Sequence, residues 1–301
     1  MRRRLLLFSC ALASAALTAC SLYYPPRKVS FTVPKDAELV ARGRHLAQLT
    51  CAVCHYDPAT RKLTGIRMKD VPAFVGTVYS RNTTQDPEAG IGHYTDDELA
   101  HLLRTGIARD GSLMPYMQKP HLADDDLRAI IAFLHSNDEL VAPSSDEPPR
   151  THYTLLGRIG LKLVSPPLPY PDHEIPRPDP TDDITVGEYL VRNLGCYECH
   201  SASFTRLDRT HPEKSKGYLG GGNKLHDVSG RTAYSRNLTP DSTGLAAWSE
   251  QDFINTLKTG ITRDGRVLSY PMPSFAELTD REASAIYRYL RTVPPIHNEV
   301  K

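Results

Sequence analysis

The chain has 301 residues, with 36 Lys and Arg against 35 Asp and Glu, 24 prolines and 40% hydrophobic residues. That balance lacks the basic excess of a nucleic-acid surface, and it suits small globular units separated by irregular segments better than one large core. The chain holds six cysteines, few enough that each can be assigned a place.

Residues 1–19 read as a targeting segment. Arg2, Arg3 and Arg4 form a basic n-region, and the apolar run from Leu5 to Leu17 is too short to span a bilayer as a mature helix. The run ends at Leu17-Thr18-Ala19-Cys20, which resembles a bacterial lipobox. The resemblance implies cleavage before Cys20 and diacylation of that cysteine. With Ser21 rather than Asp following, it also implies sorting to the outer membrane, facing the periplasm. The alternative is an ordinary secretory leader cut nearby, with Cys20 a spare thiol. Loss of the three arginines would take the basic count from 36 to 33 against 35 acidic residues, leaving a slightly acidic mature chain.

The next signals come in a fixed order. Ala37 to Leu49 carries apolar residues at helical spacing and leads into Cys51-Ala52-Val53-Cys54-His55. Cys-x-x-Cys-His is the attachment signature of c-type haem. After the block Tyr79-Ser80-Arg81-Asn82, the stretch Tyr94 to Thr105 has Thr95 and Glu98 in capping-box spacing, and Gly106 is placed to end a helix. Arg104 to Gly111 (RTGIARDG), a loop with Met114-Pro115, and the helical stretch Asp124 to Leu134 complete the first series. Residues 141–183 are rich in proline and favour extended, semi-rigid backbone, with one short helix over Thr154 to Leu163.

The series then recurs. Thr185 to Leu194 leads into Cys196-Tyr197-Glu198-Cys199-His200, and Tyr234-Ser235-Arg236-Asn237 follows. Trp248 to Thr259 ends at Gly260, Lys258 to Gly265 reads KTGITRDG, and Met272-Pro273 precedes the helical stretch Asp280 to Leu290. No strand alternation of useful length is present, so the expected fold is all-α. It consists of two tandem units, residues 37–140 and 184–296, joined by a Pro-rich linker over 141–183. Phe133 and Tyr289 are expected to pack on the preceding helices near Gly43 and Gly187. The second unit has a longer loop bearing Arg206, Arg209, Lys214 and Lys216, which is either a solvated face or a docking patch for an acidic partner. Its glycine run, Gly220-Gly221-Gly222, is not a phosphate loop, because no strand precedes it and no Gly-Lys-Ser/Thr ending follows.

Two c-type haems need axial ligands, and His55 and His200 supply one each. The Met-Pro loops resemble those that carry the distal ligand in class I cytochromes c, which points to Met114 and Met272. Met117 and His121 stand as rivals in the first loop. A soft thioether favours ferrous iron and raises the potential relative to a second histidine. Arg81, Asn82, Arg236 and Asn237 read either as partners of haem propionates or as a solvated turn. Cys10 leaves with the leader and Cys20 is the lipid site, so the four remaining cysteines all lie in the two haem motifs. None is left for a disulfide, even in an oxidising compartment.

The chain thus resembles a di-haem member of the class I cytochrome c family. It is similar to the cytochrome subunits that accept electrons from periplasmic alcohol or aldehyde dehydrogenases. The likeness covers most of residues 37–140 and 184–296. Those subunits carry three haem units and a membrane-binding tail, whereas two motifs and a lipid site stand here. The resemblance implies a lipid-anchored electron carrier rather than an enzyme, exchanging electrons with a dehydrogenase, another cytochrome or a terminal oxidase. The alternative is a di-haem enzyme, peroxidase-like or thiosulfate-oxidising, with an open iron site. The Met-Pro loops and the lack of a spare cysteine weigh against it. A pair of zinc or redox Cys-x-x-Cys sites leaves those loops unexplained.

Overall fold

The computed structural model describes residues 21–227 and 229–300. The leader expected over residues 1–19 and the lipid site expected at Cys20 lie outside them.

The first helix, α1 (Ala37–Thr50), starts where the Asp36 carboxylate accepts from the N–H groups of Glu38 and Leu39. The short α2 (Ala52–His55) follows directly. Helix α3 (Asp96–Thr105) opens on the capping box of Thr95 and Glu98 and ends at Gly106, whose φ of 78° is left-handed. Helix α4 (Asp124–Leu134) and the short α5 (Leu155–Val164) come next. The pattern then repeats as α6 (Asp183–Asn193), α7 (Cys196–His200), α8 (Glu250–Thr259) and α9 (Asp280–Leu290). Capping boxes at Ser249/Asp252 and Thr279/Glu282 start α8 and α9.

Helices dominate, in keeping with the all-α expectation. Two short antiparallel ladders are present among the described residues. Strand β1 (Gly76–Thr77) pairs with β2 (His152–Tyr153), with Gly76 opposite Tyr153. Strand β3 (Lys224–His226) pairs with β4 (Thr232–Tyr234), with Leu225 opposite Ala233. Segments of two or three residues are too short to show an alternating pattern in sequence.

Within each series the first and last long helices cross on a glycine. A Cβ added to Gly43 of α1 would stand 1.8 Å from the Ala129 carbonyl oxygen of α4. A Cβ on Gly187 of α6 would stand 2.0 Å from the Ala285 carbonyl oxygen of α9. Only a residue without a side chain lets the two backbones approach that closely. Phe133 and Tyr289 close over these crossings, as the sequence suggested.

Among the described residues, most buried apolar side chains fall into two clusters. One includes Leu46, Leu63, Leu103, Leu127, Ile131 and Phe133, and the other Leu190, Val191, Phe253, Leu257, Ile286 and Leu290. Leu49 of α1 belongs to the second cluster and Tyr189 of α6 packs on the first, so these two helices are shared. Polar contacts follow the same seam. Tyr189 donates to Asp126 at 2.7 Å, and Asp126 also pairs with Arg42 at 2.6 Å. His45 meets Glu282 at 2.9 Å, and the Lys119 ammonium donates to the Asn193 carbonyl at 3.0 Å.

The Pro-rich stretch lies along the first helical series. The Gln118 amide donates to the Pro166 carbonyl at 2.8 Å, and the Leu168 and Asp124 N–H groups donate to Thr105 and Ile175. Helix α5 packs through Gly157, where a Cβ would lie 2.0 Å from the Val75 carbonyl oxygen.

Candidate functional site

Each Cys-x-x-Cys-His motif forms one helical turn. Cys51 closes α1 and its carbonyl accepts from the N–H groups of Cys54 and His55. In the second copy Gly195 takes a left-handed φ of 75° and starts the turn at Cys196. The i, i+3 spacing puts both thiols on one side of the turn, with the histidine just beyond.

Both histidines are buried and held alike. The Nδ1 atom of His55 lies 2.7 Å from the Arg81 carbonyl oxygen, and Nδ1 of His200 lies 2.7 Å from that of Arg236. A carbonyl only accepts, so each Nδ1 carries the proton and each Nε2 keeps its lone pair. Neither Nε2 is hydrogen-bonded among the described residues. Glycines make room for this arrangement. Gly65 donates its N–H to the His55 carbonyl, and at φ 91° its absent Cβ would stand 2.4 Å from the Ser80 carbonyl oxygen. Gly221 does the same for His200, and its Cβ would stand 2.7 Å from the Arg236 carbonyl oxygen.

Burial dominates the electrostatics. It lowers the pKa of His55 and His200 against the opposing pull of the carbonyl hydrogen bonds, so both imidazoles are neutral near pH 7. It raises the four free thiols: Cys51 upward, Cys54 to about 11, and Cys196 and Cys199 to about 12. A thiol–disulfide catalyst needs the reverse, a thiolate stabilised near neutral pH. Among the described residues, no group of three or more His, Cys, Asp or Glu side chains is arranged to hold a metal ion. The motifs lie within each other's field, since charge on Cys54 adds to the rise at Cys199 and Glu198 adds to that at Cys54.

The expected distal residues sit on the loops before α4 and α9. Met114 is half-buried and its N–H donates to the Gly106 carbonyl at 2.7 Å. Met117, three residues on, packs against the first apolar cluster, and Met272 packs against the second. His121 is otherwise engaged, because its Nε2 donates to the Arg209 carbonyl at 2.8 Å. Arg209 itself, expected in a basic docking patch, donates to the Val164 carbonyl and holds the loop against α5, while Arg206, Lys214 and Lys216 remain exposed.

The asparagines expected at haem propionates have another role. Asn82 gives both amide hydrogens to the Ser144 and Asp146 carbonyls and accepts from the Thr84 N–H. Asn237 donates to the Ile296 carbonyl and Thr243 Oγ1 and accepts from the Thr239 N–H. Their donors are consumed, so both are struts that pin the chain after α4 and after α9. The Arg81 guanidinium is half-exposed, 3.8 Å from Glu147, and that of Arg236 donates to the Val300 carbonyl. What the sequence hid is that these arginines orient the histidines through their backbone carbonyls, which any residue type possesses. Gly65 and Gly221 were equally hidden, because the long loop of the second copy changes their distance from the motif. Tyr94 and Trp248, which open the corresponding stretches of the two series, have Arg109 and Arg263 stacked over their rings at 5.1 and 5.2 Å.

The sequence profile of the family described as cytochrome c oxidase, cbb3-type, subunit III matches residues 38–134, the segment that carries the first motif and its histidine. Residues 38–134 carry a cytochrome c domain. The cytochrome c subunit of the quinone-dependent alcohol dehydrogenase of Gluconobacter oxydans (strain 621H) is 31% identical over 277 residues, covering 87% of this chain and 56% of that one. The fructose dehydrogenase cytochrome subunit of Gluconobacter japonicus is 32% identical, covering 85% and 52%. A diheme cytochrome c-type protein of Cereibacter sphaeroides is 29% identical over 82% of each chain. The chain thus spans little more than half the length of these alcohol and fructose dehydrogenase subunits. Haem c fits the residues present: paired thiols on one turn, and beside them a buried neutral imidazole whose Nε2 is free to bind iron.

Proposed function

We propose that this cytochrome is a di-haem electron carrier built from two cytochrome c units, residues 37–140 and 184–296, with 141–183 as the connector. The observation that carries the reading is the duplicated histidine clamp, His55 on Arg81 and His200 on Arg236, at the same 2.7 Å and each beside a cysteine pair. Cys51 and Cys54 would hold one haem c through thioether bonds, and Cys196 and Cys199 the other. When bound, haem c supplies a one-electron Fe(III)/Fe(II) couple.

The chain's own residues decide how that couple is used. His55 and His200 would hold the two haem groups through Nε2, and the carbonyls of Arg81 and Arg236 fix the imidazole orientation and strengthen them as donors. Met114 and Met272 would supply thioether sulfur to the two haem groups, a soft donor that favours ferrous iron. With those donors in place the haem groups would exchange electrons with partner proteins rather than bind a substrate. The Arg81 and Arg236 guanidiniums stand at the clamps, where they can neutralise propionates. The dehydrogenase relatives support a dehydrogenase as electron donor. The lipobox-like segment supports a periplasmic protein tethered through Cys20 to the outer membrane.

The test is an absorption spectrum of the matured, dithionite-reduced protein before and after carbon monoxide, normalised to haem per chain. Two haems with no shift are expected. One haem that shifts would transfer the reading to a redox enzyme with an open site, and no covalent haem would refute it altogether.

A further inference from the structure

Helix α5 carries an apolar face that nothing among the described residues covers. Leu155, Ile159 and Leu163 recur every fourth residue, with Leu156 beside them, and their exposures are 62%, 42%, 79% and 68%. The helix packs by its opposite side, through Gly157 against Val75, while Leu161 and Val164 are half-buried. Phe74, 65% exposed, sits at the helix start, where Thr154 Oγ1 donates to its carbonyl. Helices normally turn such a stripe inward. A stripe of four large aliphatic side chains facing out marks a contact surface.

Two observations say what covers it. The first is charge: the only ionisable residues on α5 are Arg158 and Lys162, with no acid among its ten residues. An apolar stripe edged by cations suits an anionic lipid surface. The second is where the chain enters the fold. The Leu113 N–H donates to the Leu22 carbonyl at 3.0 Å, and the Tyr24 N–H to the Gly111 carbonyl at 2.8 Å. The same loop runs on to Gln118, which holds Pro166 just beyond the end of α5. The polypeptide leading back to Cys20 therefore leaves the fold from the loop that holds α5 in place. Among the described residues no helix is long and apolar enough to cross a membrane, so contact runs along the surface.

We infer that α5 is a membrane-contact helix, laying Leu155, Leu156, Ile159 and Leu163 into the acyl boundary of an anionic bilayer with Arg158 and Lys162 at headgroup level. This contact is independent of the haem chemistry. The acyl chains expected at Cys20 enter only as the tether that holds α5 near the lipid.

The test uses the haem-loaded mature protein without its lipid, made as Cys20→Ser behind a cleavable secretory leader. The protein is floated with vesicles of phosphatidylethanolamine and phosphatidylglycerol, and with phosphatidylcholine vesicles as control, and the bound fraction is read from Soret absorbance. The parent is expected to float with the anionic vesicles. Leu155→Ser/Ile159→Ser/Leu163→Ser is expected to lose about tenfold or more in partitioning. Should that variant fold poorly, Leu163→Ser alone, at the most exposed position, is expected to lose severalfold. Arg158→Gln/Lys162→Gln is expected to bind the anionic vesicles no better than the control. A parent that stays in solution, or a serine variant that floats like the parent, would overturn the inference. So would a parent dimer in light scattering that the serine variant abolishes, since the face would then belong to a second copy.

Discussion

Replacing Gly187 by alanine tests the helix crossing on which the second haem unit would be built. The new Cβ would stand 2.0 Å from the Ala285 carbonyl oxygen and 2.8 Å from Tyr289 Cβ, where ordinary contact begins at 3.4 Å. The nearer obstacle is backbone, so no side-chain rotation relieves it, and α6 and α9 must separate. Separation loosens Leu190, Val191, Ile286 and Leu290, all buried in the second cluster. Overpacking of a close-packed core costs about 1–3 kcal/mol. A rigid carbonyl as the obstacle puts this case at the upper end, about 3 kcal/mol. For a unit of roughly a hundred residues that is a fall in Tm of roughly 12 °C or more. The assay is thermal unfolding of the haem-loaded protein by far-ultraviolet circular dichroism, with the Soret band as a second probe. Gly160→Ala is the internal control, since its Cβ would meet nothing within 4 Å. Alanine in that helix interior should be neutral or stabilise by about 0.5–1 kcal/mol. A Gly187→Ala protein that melts within a few degrees of the parent would refute the close crossing.

Met272→Ala should leave both haems attached but let carbon monoxide shift the spectrum of one; an unchanged ligand field would refute the assignment. Met114→Ala is expected to do the same for the other haem, whereas Met117→Ala should cost stability without opening an iron, and the reverse result would exchange their roles. Asn237→Ala should destabilise by about 1–3 kcal/mol, because the fully buried Thr239 N–H loses its acceptor. Its reduced spectrum and potential should stay unchanged, and a shifted potential would return Asn237 to the propionates. The His45–Glu282 pair sets a pH window. The hydrogen bond to Glu282 raises His45 above its ordinary 6.5. Burial alone would raise Glu282, but hydrogen bonds from His45 and the Thr279 N–H outweigh it and hold Glu282 below its ordinary 4.5. The histidine's contribution is therefore complete below about pH 6.5 and lost as pH rises through its raised pKa, while the glutamate's is complete above about pH 4.5 and lost as pH falls through its lowered one. Denaturant titrations across pH should show His45→Gln flattening the alkaline limb, and parallel profiles for variant and parent would exclude this linkage.

The sequence by itself determined the features that are local or that recur. Cys-x-x-Cys-His is a chemical requirement confined to one turn, so both motifs could be read without a fold. The duplication was legible because Ser-Arg-Asn, Thr-Gly-Ile-x-Arg-Asp-Gly and Met-Pro follow each motif in the same order. Capping residues and terminal glycines placed α3 and α8 to within two residues, and α4 and α9 at their observed bounds. Tertiary structure decided whatever depends on the backbone of a distant residue. The carbonyls that orient His55 and His200 belong to Arg81 and Arg236, but a carbonyl carries no residue identity, so the arginine side chains drew the functional reading instead. Asn82 and Asn237 look like polar surface residues until the chain after α4 and after α9 folds back and consumes their donors. The outward stripe of α5 was equally invisible, because an apolar helix reads the same in sequence whether its leucines face a core or the solvent. Which face is buried depends on Gly157 meeting Val75, a contact between residues about eighty positions apart that no local pattern encodes.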